Sequence, residues 1–168
     1  VGMNAATTRG LMRLYGNPRL AADCRRHFIE GYFEVVAGLP RGPFEDVLRT
    51  VQTAEDVTSD RELDPEALDR LAGLYLDLAR DRFGTAIPEE PMDQLRTAAE
   101  AVFRSWDAPK AQDYRRLNHL EDLSGTAVTV PALGFCNARA RSGSGVAFSP
   151  APATGANGLY ADMLFEAQ

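Results

Sequence analysis

The segment VFRSWDAPKAQDYRRLNHL, residues 102–120, interleaves Arg104, Lys110, Arg115, Arg116 and His119 with Phe103, Trp106 and Tyr114. Arginine forks match the oxygens of phosphate and carboxylate groups, so anion recognition is one chemistry this spacing can serve. The other reading is a helix end whose cations answer Glu100, Asp107 and Asp113. Lys110 is the single lysine among eighteen basic side chains, so any step that needs a lysine on a phosphate uses that residue or one from elsewhere.

A second candidate is SGSG, Ser142 to Gly145, inside RSGSGVAFSPAPATG. Small residues and free backbone N–H groups can cradle an anion. The run is not a Walker loop, since the GxxxxGK[ST] pattern is absent and no helix opens after it. A plain hairpin turn is the alternative. A third candidate, CRRHF at 24–28, sets His27 beside Arg25 and Arg26 in mid-helix, where a structural histidine competes with a functional one. His119 is the only other imidazole and no GxSxG nucleophile motif occurs, so nothing supports a catalytic triad. The two cysteines, Cys24 and Cys136, lack metal-type spacing and read as reduced, structural thiols.

These groups must be positioned mostly by helices. Asn17 and Pro18 form an N-cap and first helical residue, followed by Leu20, Cys24, Phe28, Tyr32, Val35 and Leu39 at helical spacing, with Gly38 and Pro40 closing the helix. A shorter helix after Pro43 carries Phe44, Val47, Leu48 and Val51 on one side. Asp64 and Pro65 repeat the start signal, and Leu68, Leu71, Tyr75 and Leu78 form a stripe that ends near Phe83 and Gly84. Its opposite face, Asp69, Arg70, Asp77, Arg80 and Asp81, reads as solvated. After Pro88 a helix with Met92, Leu95, Ala99, Val102 and Trp106 on one stripe runs to about Trp106, and a polar one spans about Pro109 to Leu117.

At Gly125 the period changes from helical to alternating. TAVTVPALGF, GVAFS and LYADMLF read as three strands, with hairpin turns at Asn137 to Ser144 and at Pro150 to Gly158. Pro131 cannot donate to a ladder and belongs at an edge, bulge or break. The expected class is α+β, a helical block followed by an antiparallel β meander. A strand reaching the last residues implies a sheet that continues in further sequence.

With 168 residues the chain is long enough for one domain or for two small lobes sharing a hinge. A formal charge of -6 argues against nucleic acid as a partner, because binding to its backbone rests on clustered positive charge. No apolar run approaches the roughly 20 residues of a membrane-spanning helix, so no membrane partner is expected. VGMNAATTRG does not resemble a signal peptide, and the expected compartment is cytoplasmic.

Taken together, GMN at 2–4, GNPRLA at 16–21, RRHFIE at 25–30, PEEPMDQL at 88–95, AVFRSWDAPKA at 101–111, YRRLN at 114–118, GTAV at 125–128 and SGSGVAFSPAPATG at 142–155 resemble the N-terminal nucleotide-binding region of the pyruvate, phosphate dikinase family. The resemblance implies a partial ATP-grasp domain. Residues 1–88 would be its helical subdomain, 89–135 the returning part of the first lobe with the hinge, and 136–168 the beginning of the second nucleotide-binding lobe. Val130, Pro131, Ala132, Leu133 and Gly134 match the adenine-side hinge, where backbone groups recognise the base, and 141–155 becomes a hairpin beside the nucleotide cleft.

For the parent protein the resemblance implies ATP, magnesium and a phosphotransferase reaction with pyruvate and phosphate as paired acceptors. A phosphohistidine on another domain carries the phosphoryl group, so the partners are ATP and the remaining phosphohistidine and pyruvate-binding domains. A homodimeric parent is among the assemblies it allows. Departures from the family pattern fall at Arg25, His27, Pro131, Leu133, Cys136, Pro150, Ala151 and Asp162. The resemblance places the phosphate-binding lysine and arginine upstream of Val1 and the remaining site groups downstream of Gln168, so the isolated chain is expected to be inactive. The rival readings are a non-catalytic ATP-grasp-derived interaction module and a piece of a related phosphoenolpyruvate synthase-like enzyme.

Overall fold

Side-chain caps start three of the six described α-helices. In the computed structural model, which describes residues 1–135, 138 and 142–165, α1 (Ala5–Tyr15) begins at Asn4, whose side chain accepts from Thr7 N–H while Thr7 Oγ1 accepts from Asn4 N–H. This reciprocal arrangement satisfies two donors that a helix start otherwise leaves open. Asn17 caps α2 (Pro18–Gly31) through Leu20 N–H, and Asp64 caps α4 (Pro65–Phe83) through Ala67 N–H. Both have proline at the first helical position, as the sequence implied. Gly84, at φ +62°, ends α4 in the left-handed region that glycine adopts without strain. Between α2 and α4 lie α3 (Gly42–Ala54) and a short 3₁₀ turn, Asp60–Glu62. Beyond α4 come α5 (Pro91–Ser105) and α6 (Pro109–Leu117).

The chain forms two compact units, divided between Val130 and Pro131. The core of the first is the apposition of α2 and α4, closed by α3. Ala22, Ile29 and Phe33 meet Leu68, Leu71, Ala72 and Tyr75, and Phe44 and Val51 pack from the side. Phe33 stacks on Phe44 at 5.7 Å between centroids, and Phe44 meets the edge of Tyr75 at 5.3 Å. Such paired aromatics add directional packing to the area they bury. The outer face of α4 is solvated as expected, with Arg80 between Asp77 and Asp81 and Arg70 on Glu55.

One position on the α2 stripe differs from expectation. α2 runs into a π-helical turn, Tyr32–Val36, in which Ala37 N–H donates to the Tyr32 carbonyl. The wider turn inserts a residue into the helical register. Phe33 and Val36 therefore pack on the core, and Val35 is left 73% exposed.

The α5 stripe also departs from the sequence reading. Met92 is 68% exposed and Val102 is exposed, Leu95, Ala99 and Trp106 are half-buried, and the buried residue of this helix is Gln94. α5 meets the π-helical turn, and the described residues cover its apolar stripe only in part.

The second unit is a hairpin. Antiparallel β1 (Gly143–Phe148) and β2 (Tyr160–Phe165) pair in register from Gly143 with Phe165 to Phe148 with Tyr160. The second predicted turn lies between them, stabilised by Ala151 N–H to Ala156 O and Gly155 N–H to Ala151 O. The first predicted turn falls largely outside the described residues. The α+β class holds, but the expected meander reduces to two strands among the described residues, because Thr126–Phe135 is not a strand. Pro131 lacks a donor, and no described strand offers this stretch a ladder.

The α2–α4 core sets a first expectation. Phe44→Ala should lower the stability of the helical unit by about 3–5 kcal/mol, the usual cost of emptying a packed aromatic site, read as a lower urea midpoint by circular dichroism.

Candidate functional site

The adenine-side candidates Val130, Pro131, Ala132, Leu133 and Gly134 lie on irregular, extended chain at the division between the two units. All five are exposed, with Val130 at 62% and Leu133 at 79%. Val130 to Leu133 make no backbone–backbone hydrogen bond among the described residues. Their carbonyls, and the N–H groups of Val130, Ala132 and Leu133, are therefore open to a ligand edge. Pro131 contributes only a carbonyl.

The arginine-rich segment is a locked elbow. α5 ends at Trp106, and the Arg115 guanidinium of α6 lies 3.8 Å from the Trp106 ring centroid while its Nη1 donates to the Trp106 carbonyl at 2.8 Å. Gln112 Nε2 donates to the Asp107 carbonyl at 2.8 Å, bracing the same turn. Arg116 pairs with Asp113 at 2.6 Å, and Arg104 approaches Glu100 at 3.9 Å. The helix-end reading thus describes Arg104 and Arg116. Arg115 instead serves the bend through a cation–π contact, which sequence spacing did not disclose. Lys110 makes no ion pair among the described residues.

The SGSG run is strand rather than anion cradle. Gly143 and Gly145 sit in β1, where a methyl group would lie 2.8 Å from the Leu164 carbonyl oxygen and 2.5 Å from that of Asp162, respectively. Glycine is required there by the close approach of β2.

In CRRHF the structure elevates a different residue from the histidine. Arg26 is 2% exposed and holds three carboxylates: Asp60 Oδ2 at 2.9 Å, Asp23 Oδ1 at 3.0 Å and Glu30 Oε2 at 3.2 Å. His27 is an accessory, its Nε2 3.0 Å from Arg26 Nη2 and its Nδ1 3.1 Å from the Asp23 carbonyl. Arg19 reinforces the joint by donating to the carbonyls of Leu63 and Asp60. The network therefore staples α2 to the 3₁₀ turn that precedes α4.

Burial alone would raise the Asp23 carboxyl, but the His27 and Arg26 partners outweigh it and hold Asp23 below its ordinary 3.8. Burial likewise works against the Arg26 charge, and Asp23, Asp60 and Glu30 more than restore it. Burial and the neighbouring Asp23 push the Cys24 thiol up to about 11, which leaves it protonated and unreactive at neutral pH. Cys136 lies outside the described residues.

A sequence signal for the network existed in the spacing of Asp23, Arg26 and Glu30 by three and four on one helical face. An open cleft of about 300 Å³ beside it is lined by Arg26, His27, Glu30, Glu34, Arg41 and Asp60. No group of three or more His, Cys, Asp or Glu residues among those described could hold a metal ion. No helix among the described residues is long and apolar enough to cross a membrane.

No family model matches the chain. Over its entire length it is 39% identical to a pyruvate, phosphate dikinase of Clostridium symbiosum, in 169 aligned residues that make up 19% of that protein. It is 36% identical over 168 residues to the chloroplastic pyruvate, phosphate dikinase 1 of Arabidopsis thaliana, covering 17% of it, and 36% identical over 170 residues to the enzyme of Giardia intestinalis, covering 19%. The chain belongs to the pyruvate, phosphate dikinase family. It spans less than a fifth of the length of the curated relatives it matches.

The dikinase-like stretches coincide with joints of this fold. GMN meets the start of α5, with Asn4 capping α1 and donating to the Glu89 carbonyl at 3.0 Å. RRHFIE carries the Arg26 staple, AVFRSWDAPKA with YRRLN forms the α5–α6 elbow, and SGSGVAFSPAPATG forms β1 and the turn after it.

Removing the staple has a signed consequence. Arg26→Met leaves Asp23 as a buried charge without its guanidinium and should cost about 3–5 kcal/mol at neutral pH. In the wild type the folded Asp23 pKa is depressed, so its contribution is complete above pH 3.8 and is lost as pH falls through the lower folded value. In the variant the carboxyl rises, so its deficit against wild type should shrink as pH is lowered. Urea unfolding of both proteins at neutral pH and near pH 4.5 checks this, and an equal deficit at both would contradict the assignment.

Proposed function

We propose that this chain is the helical and base-side part of the nucleotide-binding domain of a pyruvate, phosphate dikinase. The observation that carries the reading is the identity running from the first residue to the last against dikinases of bacterial, plant and protist origin. The fold proposed for the whole domain is ATP-grasp, with 1–88 as its helical subdomain, 89–135 as the returning first lobe and hinge, and 136–168 as the start of the second lobe. The parent converts ATP, phosphate and pyruvate to AMP, pyrophosphate and phosphoenolpyruvate, with a phosphohistidine on another domain as the carrier. The compartment we propose is the cytoplasm.

The base-side role falls to Val130–Gly134. A purine edge needs one acceptor and one donor in line, and the unpaired backbone groups of Val130, Ala132 and Leu133 supply both types. Recognition through backbone tolerates Pro131 as long as its carbonyl suffices. The triphosphate is less well served here, because Arg104 and Arg116 are engaged with Glu100 and Asp113 and Arg115 is held at the elbow. Magnesium does not fit the described residues, which offer it no cluster of acidic ligands. The phosphoryl chemistry is therefore assigned to other parts of the parent, since stabilising the transferring group requires cations that the described residues do not aim at it.

Two measurements test the reading. The complete protein that carries this sequence should form AMP and pyrophosphate from ATP only when both pyruvate and phosphate are present. Formation of AMP from ATP and pyruvate without a phosphate requirement would overturn the dikinase assignment in favour of a phosphoenolpyruvate synthase-like reaction. The 168-residue chain alone, titrated calorimetrically with Mg-ATP at micromolar nucleotide, should give no saturable heat, and tight binding would show that it holds the phosphates itself.

A further inference from the structure

The turn between β1 and β2 is tied down at its start and left open before β2. Ala151 N–H donates to the Ala156 carbonyl, Gly155 N–H to the Ala151 carbonyl and Ala156 N–H to Thr154 Oγ1, so residues 151–156 close on themselves. The ladder resumes at Tyr160, opposite Phe148. Between these anchors Asn157 and Gly158 are exposed, and neither makes a hydrogen bond among the described residues.

That places two groups that react with each other side by side. Asparagine is thermolabile because its carboxamide carbon is open to attack by the backbone nitrogen of the following residue. The attack is favoured by a carboxamide that nothing holds, by an amide nitrogen outside any hydrogen bond, and by the lack of a side chain crowding that nitrogen. Asn157 and Gly158 meet all three conditions. Gly158 carries no Cβ, and nothing lies within 4 Å of where one would stand, so the backbone can turn to bring its nitrogen onto Asn157 Cγ.

The other asparagines of the described chain each fail a condition. Asn17 precedes Pro18, which has no N–H to lose. Asn4 is held at both ends of its amide, Oδ1 by Thr7 N–H and Nδ2 by the Glu89 carbonyl. Asn118 Nδ2 donates to the Tyr114 carbonyl, and the next amide, His119 N–H, donates to the Arg116 carbonyl.

We propose that Asn157–Gly158 is a self-modification site, where the turn converts to aspartyl and isoaspartyl forms with water as the only co-reactant. The Gly158 nitrogen bonds to Asn157 Cγ, the Cγ–Nδ2 bond breaks, and ammonia leaves with the proton that Gly158 gives up. The product is a cyclic imide, which water opens at either carbonyl. Cleavage of the new Cγ–N bond leaves an aspartyl residue, whereas cleavage of the original peptide bond leaves an isoaspartyl one, whose backbone runs through the side chain. Either form adds one negative charge to a chain of formal charge -6, and the second lengthens the lead into β2 by one carbon. The step needs no nucleotide and stands apart from the dikinase reading.

The test ages the complete protein that carries this sequence in mildly alkaline buffer and maps its peptides by mass spectrometry. Amide-to-acid conversion is expected at Asn157, with the isoaspartyl form among the products, while Asn4 and Asn118 keep their amides. Gly158→Ala meets open space and no left-handed φ, and by crowding the nitrogen it should slow the conversion by about tenfold. An Asn157 amide that survives, conversion at Asn118 as fast as at Asn157, or an unchanged rate in Gly158→Ala would each overturn the inference. So would an aspartyl product without any isoaspartyl form, the mark of direct hydrolysis.

Discussion

Apolar burial in this chain is concentrated at one interface, and the rest of the structure depends on it. α2 lies along α4 through Ala22, Ile29 and Phe33 on one side and Leu68, Leu71 and Tyr75 on the other, with Phe44 wedged between aromatic faces. Burial of this kind is the dominant favourable term in folding, and it gives the helical unit a core of its own. The hairpin has none. Val146, Phe148, Tyr160, Met163, Leu164 and Phe165 are all at least 45% exposed, and a two-stranded sheet in water is marginal without a covered face.

That asymmetry gives the polar joints their meaning. Arg26 does not compete with the core but seals one edge of it, tying α2 to the turn that leads into α4 through Asp60. Removing such a charge from water is costly, and the position is tolerable because three carboxylates face the guanidinium. Gln94 and the Arg115–Trp106 contact act at the start and end of α5, where hydrogen bonds determine the path of the backbone. A helical body with such fixed exits suits the proposed role, in which the chemistry lies in neighbouring polypeptide and this chain holds the base-side segment.

Most helix boundaries were legible because their causes are local. Asn17 with Pro18, Asp64 with Pro65 and Gly84 act within one turn, and a single sequence records them. Gln94 was not, because its partner Gly2 lies 92 residues away, and for Arg26 the spacing from Asp23 and Glu30 was legible while the partner Asp60, 34 residues away, was not. Val35 was misplaced by the π-helical turn, a register change that no periodic count anticipates. The Met92–Trp106 stripe and the Thr126–Phe135 strand failed for one shared reason. Each pattern announces a surface to be covered or a ladder to be joined, and the described residues cover the first only in part and offer the second no strand. For the site, the resemblance alone proposed Val130–Gly134, whereas residue types pointed to SGSG and to the 102–120 cations, where the structure has a strand and an elbow.

The central claim is that the helical unit is self-sufficient and the hairpin is an incomplete sheet awaiting a cover. Residue-resolved hydrogen exchange on the 168-residue chain tests it most directly. The account predicts slow exchange for core amides of α2 and α4, around Ile29 and Leu71, and exchange orders of magnitude faster at the paired amides of β1 and β2. Equal protection in the hairpin and the helical core would contradict it.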